Sequence, residues 1–126
     1  MKNITTTLTT DAIFSDDGHK RYLLKKVWNT SKPSLGIIML VPSEASGIEL
    51  DSTTALVINN TSRLEYGSVS IANLFSTIGD HKLLNAEFED RENIKNIVEM
   101  ANAVDTIVYA AGVGKISNKA FIKRQN

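Results

Sequence analysis

A run of five apolar residues, Ile37-Ile38-Met39-Leu40-Val41, stands between Pro33 and the pair Pro42-Ser43. It is too short for a buried helix and has no polar alternation, so it predicts a strand covered on both faces. Strands of that kind belong to sheets flanked by helices, which turns the chain toward an α/β fold. The run ends in a proline of fixed φ, then polar Ser43 and Glu44, at the strand's carboxyl end. In open α/β sheets, ligands bind outside that end. A site is therefore expected at Pro42 and Ser43.

The rest of the chain arranges itself around this strand. Residues 4–10 are β-prone and weakly apolar, suiting an edge strand or an ordered arm. Leu and Lys would also suit a helix over 21–28. The Ser15-Asp16-Asp17-Gly18 turn, where glycine supplies a positive φ, and the Trp28-Asn29 exit instead predict an antiparallel hairpin of residues 11–14 against 21–28. Asp51-Ser52-Thr53-Thr54 opens a helix over about 52–65, because Asp and Ser accept from the first free amides. Thr53, Val57, Asn60, Thr61 and Leu64 share one face of it, and Gly67 stops it. Val69 to Phe75 is a second buried strand. Behind Asp90 as cap, Ile94, Ile97, Val98, Ala101 and Val104 recur at helical spacing, with Glu92, Lys95, Asn96, Glu99 and Asn102 outside. Thr106 to Ala111 is a third buried strand, and Gly112-Val113-Gly114 leads into a last helix from about 116.

Behind the hairpin the order is β-α-β-α-β-α. It predicts one α/β domain over 1–126, of three-layer type, with a central mainly parallel sheet and an antiparallel N-terminal hairpin. A terminal helix with no strand after it either packs alone or leaves a sheet edge open to a partner.

Charge and composition narrow the function classes. Fourteen basic residues balance fourteen acidic ones, so no global field draws the chain to DNA or to anionic lipid. Cysteine is absent, which excludes disulfides and Cys-ligated metals. No run reaches the ~20 apolar residues of a membrane span, and the N-terminus has no apolar signal core, so a cytoplasmic protein without membrane contact is expected.

Several residues carry candidate chemistry. Ser43 is the hydroxyl at the mouth of the opening strand, yet Pro42-Ser43-Glu44 is not a nucleophile elbow. His81 follows a core strand and is either within reach of Ser43 or simply solvated. Asp51 is a helix cap or a site carboxylate. Asn73, near the end of an apolar strand, would cost ~1–3 kcal/mol if buried without a partner. It must bond either to the loop at 42–44 or to a ligand. Gly112-Val113-Gly114-Lys115 is a turn, or a cradle of amides for an anion, but not a Walker A loop, since Tyr109 and Ile116 stand where Gly and Ser/Thr are required. His19-Lys20-Arg21 and Lys25-Lys26 read as a solvated hairpin face or a weak phosphate contact. No ligand spacing for a metal stands out, and no cofactor is expected.

Arg21-Tyr22-Leu23 with Trp28, Ile38-Met39-Leu40-Val41-Pro42-Ser43, Asp51-Ser52-Thr53, and Asn73-Leu74-Phe75 with Asp80 occur in one order along the chain. In these motifs the chain, from about Phe14 to Gly112, resembles the bacterial family catalogued as domain of unknown function 1643. That family commonly has Asn-Pro-Ser, Asp-Pro-Thr and Trp-Gly where this chain has Val41-Pro42-Ser43, Asp51-Ser52-Thr53 and Ala111-Gly112. The resemblance implies a fold and no reaction. The loop after the first parallel strand is also faintly similar to that of α/β uracil-DNA glycosylases, in which a polar residue helps activate water beside a flipped base. Val41 has neither donor nor acceptor for that role, while Phe75 could stack on a base and Asn73 read its edge.

The function expected is binding of a small ligand or nucleotide in a cleft lined by Pro42, Ser43, Asp51, Thr53, Asn73 and Phe75. Two alternatives stay open. One is a nucleic-acid-acting enzyme or an inactive relative of a base-excising glycosylase. The other is a protein-interaction module, a homodimer among its forms, built on an open sheet edge.

Overall fold

The computed structural model describes residues 1–40, 52–78, 90–110 and 121–124. In chain order these form β1 (Thr9–Phe14), β2 (Arg21–Val27), β3 (Ser34–Met39), α1 (Ser52–Arg63), β4 (Ser68–Asn73), α2 (Arg91–Ala103), β5 (Thr106–Tyr109) and β6 (Phe121–Arg124). The strands lie in one sheet in the order β1-β2-β4-β3-β5-β6. The apolar run beginning at Ile37 is central: β3 pairs in parallel with β4 on one side and β5 on the other, Ile37 lying opposite Ile71 and Val108.

The expectation of a mainly parallel sheet is corrected to a mixed one. The hairpin adds β2 antiparallel to β4 and β1 antiparallel to β2, and at the other side β6 runs antiparallel to β5. The predicted last helix is corrected too, because residues 121–124 are a strand, with Ile122 opposite Val108 and Phe121 opposite Tyr109. A four-residue apolar-basic piece carries no decisive period, and the unpaired edge of β5 offers it a hydrogen-bonded ladder. The β5 edge that the interaction reading relied on is therefore occupied.

The predicted hairpin is present, joined by a turn in which Gly18 N–H donates to Ser15 O at 2.9 Å and Gly18 has φ +77°. The Asp17 carboxylate accepts from Ser15 Oγ and His19 N–H, the local bonding that makes aspartate a turn residue. These bonds, with the His19 N–H first, hold the Asp17 carboxyl below the ordinary carboxylate range.

Strand alternation sorts the core into two clusters. Leu24, Leu35, Ile37, Val69 and Ile71 pack with Val57 and Ile58 of α1, with Trp28 and Tyr66 at the margin. Ala72 and Ile107 pack with Met100 and Val104 of α2, joined by Ile38 and Leu23. Gly36 is required here, since a Cβ on it would meet Met100 and Val104.

Both helices are rotated from the faces expected of them. In α1 the inward stripe is Thr54, Val57, Ile58 and Thr61, whereas Asn60 and Leu64 are exposed. Thr61 tolerates burial because its hydroxyl donates to Val57 O at 2.6 Å. In α2 the stripe is Asn93, Ile97, Met100 and Val104, while Ile94 and Val98 are 46% and 52% exposed. Polar Asn93 takes the inward place because it serves the sheet, as described below. The stop of α1 differs as well. Glu65, not glycine, takes the left-handed conformation (φ 69°), and Tyr66 N–H reaches back to Thr61 O at 3.2 Å, closing the helix in a Schellman pattern.

Candidate functional site

Beyond β4 the chain continues beside β3 and then turns to the hairpin. Leu74 and Phe75 N–H donate to Met39 and Leu40 O at 2.9 Å, and Ala110 N–H donates to Ile38 O at 2.8 Å. These bonds mark the carboxyl end of the parallel strands. Residues 76–78 then meet the start of β2, through Arg21 N–H to Ser76 O, Ile78 N–H to His19 O and a bridge between Lys20 and Thr77.

Asp90 organises this end. It caps α2, its Oδ1 accepting from Glu92 and Asn93 N–H at 3.1 and 3.3 Å, as the sequence led us to expect. Its Oδ2 accepts from Lys20 Nζ at 3.0 Å and Ser76 Oγ at 3.2 Å. Burial by itself would raise this carboxyl. The Lys20 hydrogen bond, the Asn93 amide, the Lys20 charge and Ser76 outweigh burial and hold Asp90 below the ordinary carboxylate range. The same carboxylate acts on Tyr22, whose hydroxyl is raised by burial first and by the Asp90 charge second.

One turn into α2, Asn93 is buried and its Nδ2 donates to the backbone carbonyls of Asn73 at 2.8 Å and Leu74 at 3.2 Å. The helix thus closes the last open carbonyls of β4. Among the described residues Asn93 Oδ1 has no hydrogen-bond partner. Among the described residues the Asn73 side chain, 1% exposed, makes no hydrogen bond through either Nδ2 or Oδ1. By strand alternation it lies on the face of Val69 and Ile71. Residues 42–44, one alternative partner for Asn73, lie outside the described residues. Among the described residues, three amide atoms of two buried asparagines are therefore unmet at the carboxyl end of β4.

Of the other expected site residues, Phe75 is buried at this same end. Thr53 is the second residue of α1. Pro42, Ser43 and Asp51 lie outside the described residues, as do Val41, Asp80, His81, Ala111 and the stretch Gly112 to Lys115. Among the described residues no group of three or more His, Asp or Glu could hold a metal ion, and no helix is long and apolar enough to cross a membrane.

Two of the hairpin cations depart from the solvated face expected of them, while His19 is exposed. Arg21 and Lys26 are each 1% exposed. Lys26 sits two residues after Leu24 on β2 and thus on the same face, where its Nζ donates to Thr10 Oγ1 at 2.8 Å. Burial, and next the charge of Arg21, push its ammonium below the ordinary lysine range. The alternation of Leu24, Lys26 and Trp28 was the available signal for this burial. Asn93 and Ser76 had no comparable signal, since each reads as an ordinary polar residue until its neighbour from another element is in place.

The family model described as "Protein of unknown function (DUF1643)" matches residues 21–126. No curated protein and no solved structure matches the chain significantly. The likeness to uracil-DNA glycosylases accordingly gains no support.

Proposed function

The chain belongs to the DUF1643 family, and we propose that it binds a small polar ligand, of nucleotide or similar chemistry, at the carboxyl ends of β3 and β4. The reading takes Pro42, Ser43, Asp51 and Thr53 as contributors from the loop and helix that follow β3, with Asn73 and Phe75 from β4 and its continuation. It also takes the domain as three layers, α1 and α2 on opposite faces of the sheet, which the two separate apolar clusters support.

The observation that carries it is the unmet carboxamide of Asn73. A buried polar group without a partner costs about 1–3 kcal/mol, and a side chain with both amide atoms unmet stands at the upper end of that range. A ligand that bonds both amide atoms would account for its retention. An adjacent donor and acceptor on one planar group suit another planar amide or a heterocycle edge, which presents the complementary pair.

Native mass spectrometry of the freshly purified full chain, followed by thermal shifts with AMP, UMP and inorganic phosphate, tests this reading against Asn73→Leu. The wild type is expected to carry a small-molecule adduct or to be stabilised by one of the nucleotides. Asn73→Leu is expected to lose that response while its ligand-free form is about 1–2 kcal/mol more stable, since an apolar group removes the unmet amide. A ligand-free Asn73→Leu less stable than wild type would mean that the amide serves the fold, and would overturn the proposal.

A further inference from the structure

A cavity of about 270 Å3 lies on the α2 side of the sheet, toward the amino ends of the parallel strands and away from Asn73. Its origin is a row of residues that crosses the sheet. Lys25 on β2 lies opposite Ser70 on β4, and Ser70 opposite Gly36 on β3. Over Gly36 the helix comes so close that Met100 and Val104 fill the place of a Cβ. Toward β2 the short side chain of Ser70 leaves the space under α2 open. Leu23, Met100 and Val104 give that space an apolar lining, and Lys25, Ser70 and Glu99 bring polar groups to it.

Those polar groups are unspent. Among the described residues Lys25 and Glu99 form no ion pair, with each other or with any other group, and Ser70 Oγ, on a residue only 5% exposed, makes no hydrogen bond. Asp11, the cross-strand neighbour of Lys25 on β1, is exposed and makes no ion pair with it either. An apolar lining with a few convergent polar groups is the usual make-up of a small-molecule site, and this one is at the small end of the range. A cation from the sheet and an anion from the helix at one cavity complement a ligand that carries both charges.

We infer that this cavity binds a small zwitterion, an α-amino acid with an aliphatic or thioether side chain. The ligand carboxylate meets Lys25 Nζ, its ammonium meets the Glu99 carboxylate, Ser70 Oγ bonds the carboxylate or the ammonium, and its side chain lies against Leu23, Met100 and Val104. The inference does not depend on the site at Asn73, which lies at the other end of β4.

Calorimetric titration of the full chain with L-leucine and L-methionine tests it, beside two probes that each lack one charge, L-leucinamide and 4-methylpentanoate. Binding of at least one amino acid is expected, with leucinamide and 4-methylpentanoate each weaker by about tenfold or more, the value of one charge-assisted hydrogen bond. Lys25→Met is expected to abolish the discrimination against leucinamide, and Glu99→Gln the discrimination against 4-methylpentanoate. Both positions are at the surface, so circular dichroism is expected to show both variants folded. No heat from either amino acid at millimolar concentration would overturn the inference. Equal affinity for leucine and its singly charged analogues, or wild-type discrimination in both variants, would overturn it as well.

Discussion

The two ends of β3 and β4 are built on opposite terms. At the amino end, around Gly67, backbone and side-chain hydrogen bonds tie the loops together. Gly67 N–H donates to Pro33 O at 2.8 Å, while Gly67 O accepts from Trp28 and Asn29 N–H at 2.9 and 3.0 Å. Trp28 Nε1 donates to Tyr66 O at 3.0 Å, Tyr66 Oη donates to Thr106 Oγ1 at 3.1 Å, and Ser34 is tied to Asp105 through backbone and side chain. At the carboxyl end Asp90 and Asn93 are drawn into the fold, yet among the described residues three buried amide atoms of Asn73 and Asn93 stay unmet. Burial with full satisfaction serves stability, and burial without it leaves bonding capacity for something else. On the reading proposed above, the amino end serves the fold and the carboxyl end serves a ligand.

The largest expected effect lies at the structural end. A Cβ on Gly67 would overlap the carbonyl of Asn29, a backbone atom that cannot swing aside. Gly67→Ala is expected to cost about 3 kcal/mol or more, read as a fall in the urea midpoint at unchanged m-value. If it is tolerated, the amino end is looser than its hydrogen bonds say, and the contrast between the ends weakens.

A smaller effect is expected at Asp90, where the carboxyl end does have structural work. Asp90→Ala removes a helix cap and the bonds from Lys20 and Ser76, at a cost of about 2 kcal/mol. The pH dependence follows from the lowered Asp90 carboxyl. Its contribution is fully present above the unfolded-state value of about 3.9 and is lost as pH falls from there through the lower folded value. The stability curve of Asp90→Ala should therefore be flatter than wild type below about pH 4 and parallel to it near neutrality. Parallel curves throughout would show that neither the cap bonds nor the Lys20 pairing favours the carboxylate over the acid.

The smallest effect has the opposite sign. Glu65 holds a left-handed conformation at the end of α1, and its ion pair with Lys32 at 3.0 Å is largely exposed. Glu65→Gly is expected to raise stability by about 0.5 kcal/mol, because relief of the backbone cost exceeds the value of an exposed pair. A fall in thermal midpoint would assign the Lys32 contact more weight than exposure allows.

The candidate site was only partly legible in the chain. Asn73 stood out because a polar residue at the end of an apolar strand needs a partner, and the structure bears out the burial while leaving the partner unsupplied. Asp90 stood out as a cap, but nothing near it in sequence announced Lys20, seventy residues away, or the amide of Asn93 turned onto the β4 carbonyls. The outward turn of Ile94 and Val98 has the same origin. Periodicity ranks apolar residues and cannot foresee that a polar side chain will take the inward place to satisfy a strand end.

By itself the sequence determined what depends on neighbours along the chain. This covers the strand at Ile37 and its parallel partners, the Asp17-Gly18 turn, the Asp90 cap and the helical periods, all products of local sterics, capping and alternation. Tertiary structure decided what depends on residues meeting from far apart. It set residues 121–124 as a strand on β5, buried Arg21 and Lys26, pressed Gly67 against Asn29, and left the Asn73 amide unmet. The reason is that burial and hydrogen bonding are properties of an environment, and only the assembled sheet and helices supply one.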